Sequence, residues 1–163
     1  MAMTKVSEVT VGSGGAATIE FTNIPQSGKD LVLLASARGT NNTIQANLRF
    51  NATTTNYSGR SLEGDGAAAA SYTSGTSVIP FYCISPNNST ANTFGNGMAY
   101  IANYTSSSNK SISHDAVTEN NATTAYQQIV ASQWANSAAI TSLTLTFDAN
   151  FVQHSTASLY IVS

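Results

Sequence analysis

Apolar and polar residues alternate with a period of two along most of this 163-residue chain. The clearest case is Leu143 to Phe147, where three apolar residues fall on one face and two threonines on the other. Strict alternation of this kind predicts a half-buried antiparallel strand. Turn clusters rich in Gly, Asn, Ser and Pro separate the alternating runs at intervals of roughly 8 to 14 residues. This pattern predicts an all-β protein, an antiparallel two-sheet β-sandwich that is jelly-roll-like and has about ten strands.

The predicted strands are Val6–Val11, Ala17–Phe21, Asp30–Arg38, Thr43–Phe50, Tyr57–Leu62, Ser77–Ile84, Thr93–Tyr104, Lys110–Thr118, Thr124–Trp134, Ile140–Phe147 and Thr156–Val162. Pro80 predicts an edge strand or a bulge, because proline cannot donate to a ladder. Two glycines, Gly95 and Gly97, predict a bulged strand in Thr93–Tyr104. Thr124–Trp134 also shows some helical spacing, although its β-rich surroundings favour a strand.

Two segments fit the strand pattern less well. Lys110–Thr118 alternates without a clean apolar face. Gly64–Gly75 contains the four alanines Ala67–Ala70, which are too few to nucleate a helix between glycines. We therefore expect an exposed loop there.

The length fits a single domain spanning residues 1–163, with a short polar N-terminal arm of about residues 1–8. The first residues lack the apolar core of a signal peptide, and no stretch of 18 apolar residues occurs. We expect a protein made in the cytoplasm without an export signal and without a membrane partner.

The chain is poor in charge and rich in hydroxyl and amide side chains. Ser, Thr and Asn supply 22, 21 and 16 residues, against 6 Lys and Arg and 8 Asp and Glu. The basic residues form no cluster, which argues against a nucleic-acid partner because phosphate binding needs grouped cations. Such a surface indicates a rigid outer-surface protein more than an enzyme. Assembly inside a cell into a particle released by lysis would explain that surface without a secretion signal.

Few residues are candidates for chemistry. His114, Asp115 and Glu119 could bring an imidazole near carboxylates, but on a strand His114 and Asp115 point to opposite faces. We expect His114 to be hydrogen-bonded or solvent-facing, and His154 to lie in a loop. Cys83 has apolar neighbours, which predicts a buried strand thiol with no nucleophilic role.

Other sites lack a defining motif. A glycosidase could draw a carboxylate pair from Glu8, Glu20, Glu63, Asp65, Glu119 and Asp148, but no spacing selects one. Gly59–Gly66 could form a weak calcium site, although it lacks regular Asp-x-Asp-x-Asp spacing. We therefore predict a protein that is not an enzyme, with no catalytic, cofactor or metal residues. A glycosidase would instead depend on Glu119 or Asp115.

The aromatic residues divide by their phase. The phenylalanines at apolar phases predict core positions, and they are Phe21, Phe50, Phe94 and Phe147. Four tyrosines beside polar turns could be exposed and contact a glycan, although packing in the core or at a subunit interface is the commoner fate of such side chains. They are Tyr57, Tyr72, Tyr104 and Tyr126. Phe81 and Trp134 are expected to be covered by sister subunits.

The order of several short segments resembles a group of virion structural proteins of tailed phages. The segments are Val9–Pro25, Asp30–Val32, Leu48–Asn51, Asn56–Ser58, Tyr100–Ser106, Asn109–Ser111 and Val117–Ala122. The resemblance covers nearly the whole chain and carries no catalytic residue. It implies a β-sandwich that forms an oligomer, commonly a trimer, on a particle surface.

Two functions from different classes follow from this resemblance. The first is a capsid decoration (cement) protein on the virion surface, a homotrimer that bridges neighbouring copies of the major capsid protein. The alternative is a receptor- or glycan-binding module of a tail fibre, using Tyr and Asn on loops such as Gly64–Gly75. The absence of heptads disfavours a fibre shaft.

Overall fold

The computed structural model describes residues 2–119 and 125–163, and these residues form strands and no helix. Part of the predicted strand Thr124–Trp134 and of the segment Val117–Ala122 therefore lies outside the described residues. Within the described residues, no helix is long and apolar enough to cross a membrane. The strands are β1 Met3–Thr10, β2 Ala16–Phe21, β3 Asp30–Arg38, β4 Ala46–Phe50, β5 Tyr57–Gly64, β6 Ala69–Thr73, β7 Ile79–Phe81, β8 Ile84–Ser85, β9 Gly95–Ile101, β10 Lys110–Val117, β11 Gln127–Trp134, β12 Leu143–Phe151 and β13 Thr156–Val162.

The strands form two antiparallel sheets, which confirms the predicted all-β, two-sheet class. The large sheet has the order β1-β13-β3-β9-β10-β11-β5-β6, with the short β8 pairing beside the end of β3 in parallel. The small sheet has the order β2-β12-β4-β7. The described residues contain 13 strands rather than about ten, and the jelly-roll topology stays a prediction.

Alternation explains most of the strands directly. On β12, Leu143, Leu145 and Phe147 are buried, whereas the threonines between them are partly exposed. The first four residues of β3 are all buried, because this strand lies inside the large sheet and its first residue is hydrogen-bonded to the loop that follows β9. The inner faces of both sheets supply one hydrophobic core.

Several local expectations are corrected or confirmed. The expected exposed loop Gly64–Gly75 contains β6, which pairs with β5, so that expectation was wrong. Pro80 lies on β7 at the edge of the small sheet, as predicted. The bulge expected from Gly95 and Gly97 is absent, since β9 pairs in regular register with both neighbours. Most of the expected arm forms β1, which pairs with β13.

The aromatic core includes Tyr57, for which the sequence left both exposure and core packing open. Trp134 packs against Phe50 and Tyr57, with ring centroids 5.6 and 6.3 Å away. The Tyr57 hydroxyl accepts a hydrogen bond from the Phe50 amide at 2.9 Å. Polar tips of aromatic rings are often buried when a backbone group partners them.

The expected coverage of Phe81 and Trp134 by sister subunits was therefore wrong, and for Tyr57 and Tyr104 the core alternative holds. Trp134, Phe81, Tyr57 and Tyr104 are all buried within the subunit. Tyr72 is 49% exposed, as expected, whereas Phe94 is only half-buried.

Arg38 at the end of β3 holds the loop between β8 and β9. Its Nη1 donates to the carbonyls of Thr90 and Thr93 at 2.9 and 3.0 Å. Its Nη2 donates to the carbonyls of Asn87 and Ser89, both at 3.0 Å. The planar guanidinium fork suits four such bonds, so one side chain fixes the loop without a carboxylate partner.

Candidate functional site

The outer face of the large sheet carries a row of uncovered apolar side chains. Cross-strand pairing aligns Leu34, Met98, Asp115, Ile129 and Leu62 in this order on five neighbouring strands. The exposed fractions of Met98, Ile129 and Leu62 are 44, 58 and 62%. We call Leu34, Met98, Ile129 and Leu62 the apolar row. An exposed apolar patch on a soluble domain commonly marks an interaction surface.

A shallow groove of about 690 Å³ lies beside the apolar row. Its floor is formed by small side chains on the two central strands, including Ser113 on β10 and Ala131 on β11. The longer side chains of Tyr100 on β9 and Arg60 on β5 flank this floor. β9 and β5 are three strand spacings apart, so their backbones lie about 14 Å from each other across the groove.

Asp30 fixes the position of Tyr100. The Tyr100 hydroxyl donates to Oδ2 of Asp30, and the amide of Asn103 donates to Oδ1 at 2.7 Å. The hydrogen bond to the Asp30 carboxylate raises the pKa of Tyr100. Because Asp30 is buried, it holds one rigid aromatic ring beside the groove.

The outer face of the large sheet carries few charges, and one of them is the exposed Asp115 between Met98 and Ile129. Within the described parts of the chain, the one ion pair joins Lys5 Nζ to Glu8 Oε2 at 3.3 Å, on the edge strand β1. A hydrogen bond from Ser158, with help from Lys5, lowers the pKa of Glu8. Among the residues that the structure describes, Arg60 donates to the carbonyl of its neighbour Gly59 and forms no ion pair, so the groove carries a cation with no carboxylate bonded to it.

The inner face of the same sheet contains His114. This side chain is 3% exposed and lies against Phe81, with ring centroids 5.1 Å apart. Neither ring nitrogen has a hydrogen-bond partner, so the expectation of a hydrogen-bonded or solvent-facing histidine was wrong. Burial lowers the pKa of His114 to about 4, which keeps the imidazole neutral at pH 7.

His114, Asp115 and Glu119 do not form one site. His114 faces the core, whereas Asp115 is exposed on the outer face, as the strand geometry predicted. Glu119 is exposed beyond the end of β10. Among residues 2–119 and 125–163, no cluster of three His, Cys, Asp or Glu side chains is arranged to hold a metal ion.

The remaining candidates have structural surroundings. Cys83 is fully buried between β7 and β8, and burial raises the pKa of its thiol to about 12. A buried thiol was predicted, although Cys83 is not itself in a strand. In the possible calcium loop, Oδ1 of Asp65 accepts the amides of Ala67 and Ala68 at 2.9 and 2.7 Å. That carboxylate therefore closes the turn into β6, and these bonds lower its pKa.

Of the possible glycosidase carboxylates, Asp65 and Glu119 line one surface pocket of about 590 Å³, but the six are not gathered in one site. Glu20 is exposed on β2 of the small sheet, while Glu63 lies on β5 of the large sheet and accepts a hydrogen bond from Gln128.

His154 lies in the turn before β13, at a positive φ of 72°. A loop position was expected for it.

The sequence reasoning missed the apolar row, although a signal for it was present. Ile129 and Val130 are adjacent on a strand, so one of the two had to face outward. Leu62 lies at the same phase as Arg60, which is exposed. Apolar residues at the polar phase of an alternating strand were therefore the signal.

Comparison with protein-family models, with curated proteins and with solved structures finds no match for this chain.

Proposed function

We propose that this protein is a structural component of a phage particle, a capsid decoration protein that associates with itself and bridges neighbouring capsid subunits. Its place is the virion surface, its partner is the major capsid protein, and it performs no catalysis. The observation that carries the proposal is the apolar row on an open sheet face, where Asp115 is the one charge between its members.

A face of this kind suits docking onto a protein surface. The row crosses five strands, so it spans about 19 Å at the usual strand spacing. Burying one of its large side chains contributes about 1.5–3 kcal/mol. With few charges at the contact, the attachment depends little on salt.

Bridging makes weak individual contacts sufficient. When one copy of an assembly is docked, the next copy binds at a high effective concentration. A rigid sandwich that presents the same face several times therefore stays attached even when each contact is modest. The row contains one charge, the exposed Asp115 between Met98 and Ile129, so the docking partner has to supply a cation or a hydrogen-bond donor opposite that carboxylate.

The proposal is tested with purified heads that lack the protein and two charge variants of the protein. Ile129→Lys places an ammonium in the apolar row at an exposed position. Thr18→Lys is the matched control, because Thr18 is exposed on the outer side of the small sheet. We expect Ile129→Lys to weaken co-sedimentation with heads by about tenfold or more, and Thr18→Lys to leave it unchanged.

Two results would contradict the proposal. Equal binding of both variants would remove the apolar row as the docking surface. If the unmodified protein does not bind heads at all, the decoration function is wrong.

A second candidate, a glycan-binding module of a tail fibre, is favoured by the groove. Its lining offers hydroxyls, the Gln133 amide, the Arg60 guanidinium and the fixed Tyr100 ring, which are groups that bind sugars. Immunogold labelling of virions separates the two functions, since a decoration protein marks heads and a receptor-binding module marks tail tips.

A further inference from the structure

The large sheet ends in two edge strands of different character, β1 and β6. Edge strands expose unpaired backbone groups, and proteins usually protect them with charges, prolines or bulges. β1 is protected in this way, since it carries the Lys5–Glu8 ion pair and its register shifts between Lys5 and Ser7.

The other edge is unprotected. β6 reads Ala-Ala-Ser-Tyr-Thr, with no charge and no proline, and it pairs with β5 in unbroken register. Apart from β5, no described strand pairs with it. An uncharged, regular edge strand of this kind is suited to pairing with another strand.

The hydrogen bonds at both ends of β6 show which backbone groups are free. The Ser74 amide donates to the Gly59 carbonyl at 3.0 Å, and the Asp65 amide donates to the Ala68 carbonyl at 3.2 Å. Hydrogen-bonded pairs occur at every second residue of an antiparallel ladder. Ala70 and Tyr72 therefore bond to β5, while Ala69, Ser71 and Thr73 direct their N–H and C=O groups away from the sheet.

We propose that β6 pairs antiparallel with β6 of a second copy of this chain, about a two-fold axis at Ser71. This inference names the partner and the contact in the self-association proposed above, and in that respect it rests on the proposed function. Pairing Ser71 with its symmetry mate, and Ala69 with Thr73 of the second copy, forms about six backbone hydrogen bonds.

This register also matches side chains by size. Tyr72 falls opposite Ala70 of the second copy, and Thr73 falls opposite Ala69, so each larger residue meets a small one. Such cross-strand pairs are the units that stabilise a sheet. No charged residue lies on either β6, so no like charges meet across the axis.

The pairing joins the apolar rows of the two copies. Leu62 pairs with Ser71 in the β5–β6 ladder, and Ile129 pairs with Leu62 in the next ladder. Across the axis, the row of one copy therefore continues through the two Ser71 residues into the row of the other. One dimer then presents a double docking row, which is the arrangement that bridging requires.

A two-fold contact of this type joins two copies and no more, because it uses the β6 edge of each copy and leaves no free β6 edge for a third. It therefore gives a dimer, in contrast to the trimer that the family resemblance implies.

Disulfide cross-linking in solution tests the register. The Ser71 Cα atoms of the two copies would lie about 5.5 Å apart, within the range for a disulfide. Ser71→Cys should give a covalent dimer under mild oxidation. Ala69→Cys is the matched control. Ala69 of one copy would pair with Thr73 of the other, so the two Ala69 Cα atoms would lie four residues, or about 14 Å, apart along the strands. The native Cys83 is buried and does not interfere.

Mass measurement by light scattering tests the pairing itself. We expect two subunits for the unmodified protein at low and at high salt. Ser71→Lys would place two ammonium groups at the axis and should give one subunit. Ser7→Lys, on the opposite edge β1, should still give two.

An unmodified protein of one or three subunits would overturn the inference. So would a Ser71→Lys variant that keeps two subunits, or equal cross-linking of both cysteine variants. None of these measurements involves heads, so a monomer that still binds heads would remove the β6 pairing and leave the decoration function in place.

Discussion

Replacing His114 by methionine should remove one cause of the loss of folding stability at acid pH. His114 is buried, and its pKa is lowered by burial from 6.5 to about 4. Between these two pH values the unfolded chain binds a proton that the folded protein does not. The stability associated with His114 is therefore fully present above pH 6.5 and is lost as the pH falls towards 4.

The size of the effect follows from the shift in the pKa. Each pKa unit corresponds to about 1.4 kcal/mol, so His114 contributes a loss of about 3 kcal/mol between pH 6.5 and pH 4. The His114→Met variant has no group to titrate and should lack this loss. At pH 7.5 its free energy of unfolding should equal or exceed that of the original protein, because two buried ring nitrogens without partners are removed.

Urea unfolding, followed by the fluorescence of Trp134, measures this effect. Trp134 is the single tryptophan and is fully buried. Titrating carboxylates affect both proteins alike, so the difference between their unfolding free energies isolates His114. His154→Asn is the control, because it removes the exposed histidine at a position whose positive φ suits asparagine. If the original protein and His114→Met lose equal stability between pH 6.5 and pH 4, the reasoning is refuted.

Two further outcomes are expected from the packing around Cys83. Gly95→Ala should destabilise the fold by about 2 kcal/mol or more in the same urea assay, because a Cβ at Gly95 would lie 2.5 Å from the Cys83 carbonyl oxygen. Gly64→Ala is the control and should change the free energy of unfolding by less than about 0.5 kcal/mol, since nothing lies within 4 Å of a Cβ at that position. If both variants lose the same free energy of unfolding, the packing described around Gly95 is wrong. Cys83 should resist a thiol reagent at pH 8 until urea unfolds the protein, because burial raises its pKa to about 12; labelling of the folded protein would show that the thiol is accessible.

The sequence was sufficient for the fold class because the alternation is strong on strands such as β12. It was insufficient for β10, because the inward positions of this strand include Lys110 and His114 and its sequence therefore shows no clean apolar face. Lys110 is buried because its Nζ donates to the carbonyls of Ser106 and Ser108, at 2.8 and 2.5 Å. Side-chain pattern alone does not show where loop carbonyls will converge on a cation.

The same limit applies to β6 and to the candidate site. The alanines of β6 have low strand propensity, and the strand forms because β5 offers it a partner. Ile129 and Leu62 could be placed on an outward phase from the sequence, but their alignment with Met98 depends on the order β9-β10-β11-β5. Strand order is set by long-range packing, which local patterns do not encode.

The contact between Arg38 and the loop Asn87–Thr93 has an evolutionary consequence. Every oxygen that Arg38 binds belongs to the backbone, and the backbone carbonyl is the same for every amino acid. The loop can therefore accept substitutions at Asn87, whose side chain is exposed, and keep its bond to Arg38. A surface that contacts a changing partner can therefore vary in sequence at this position while the fold is kept, because the hydrogen bonds from Arg38 do not depend on that side chain.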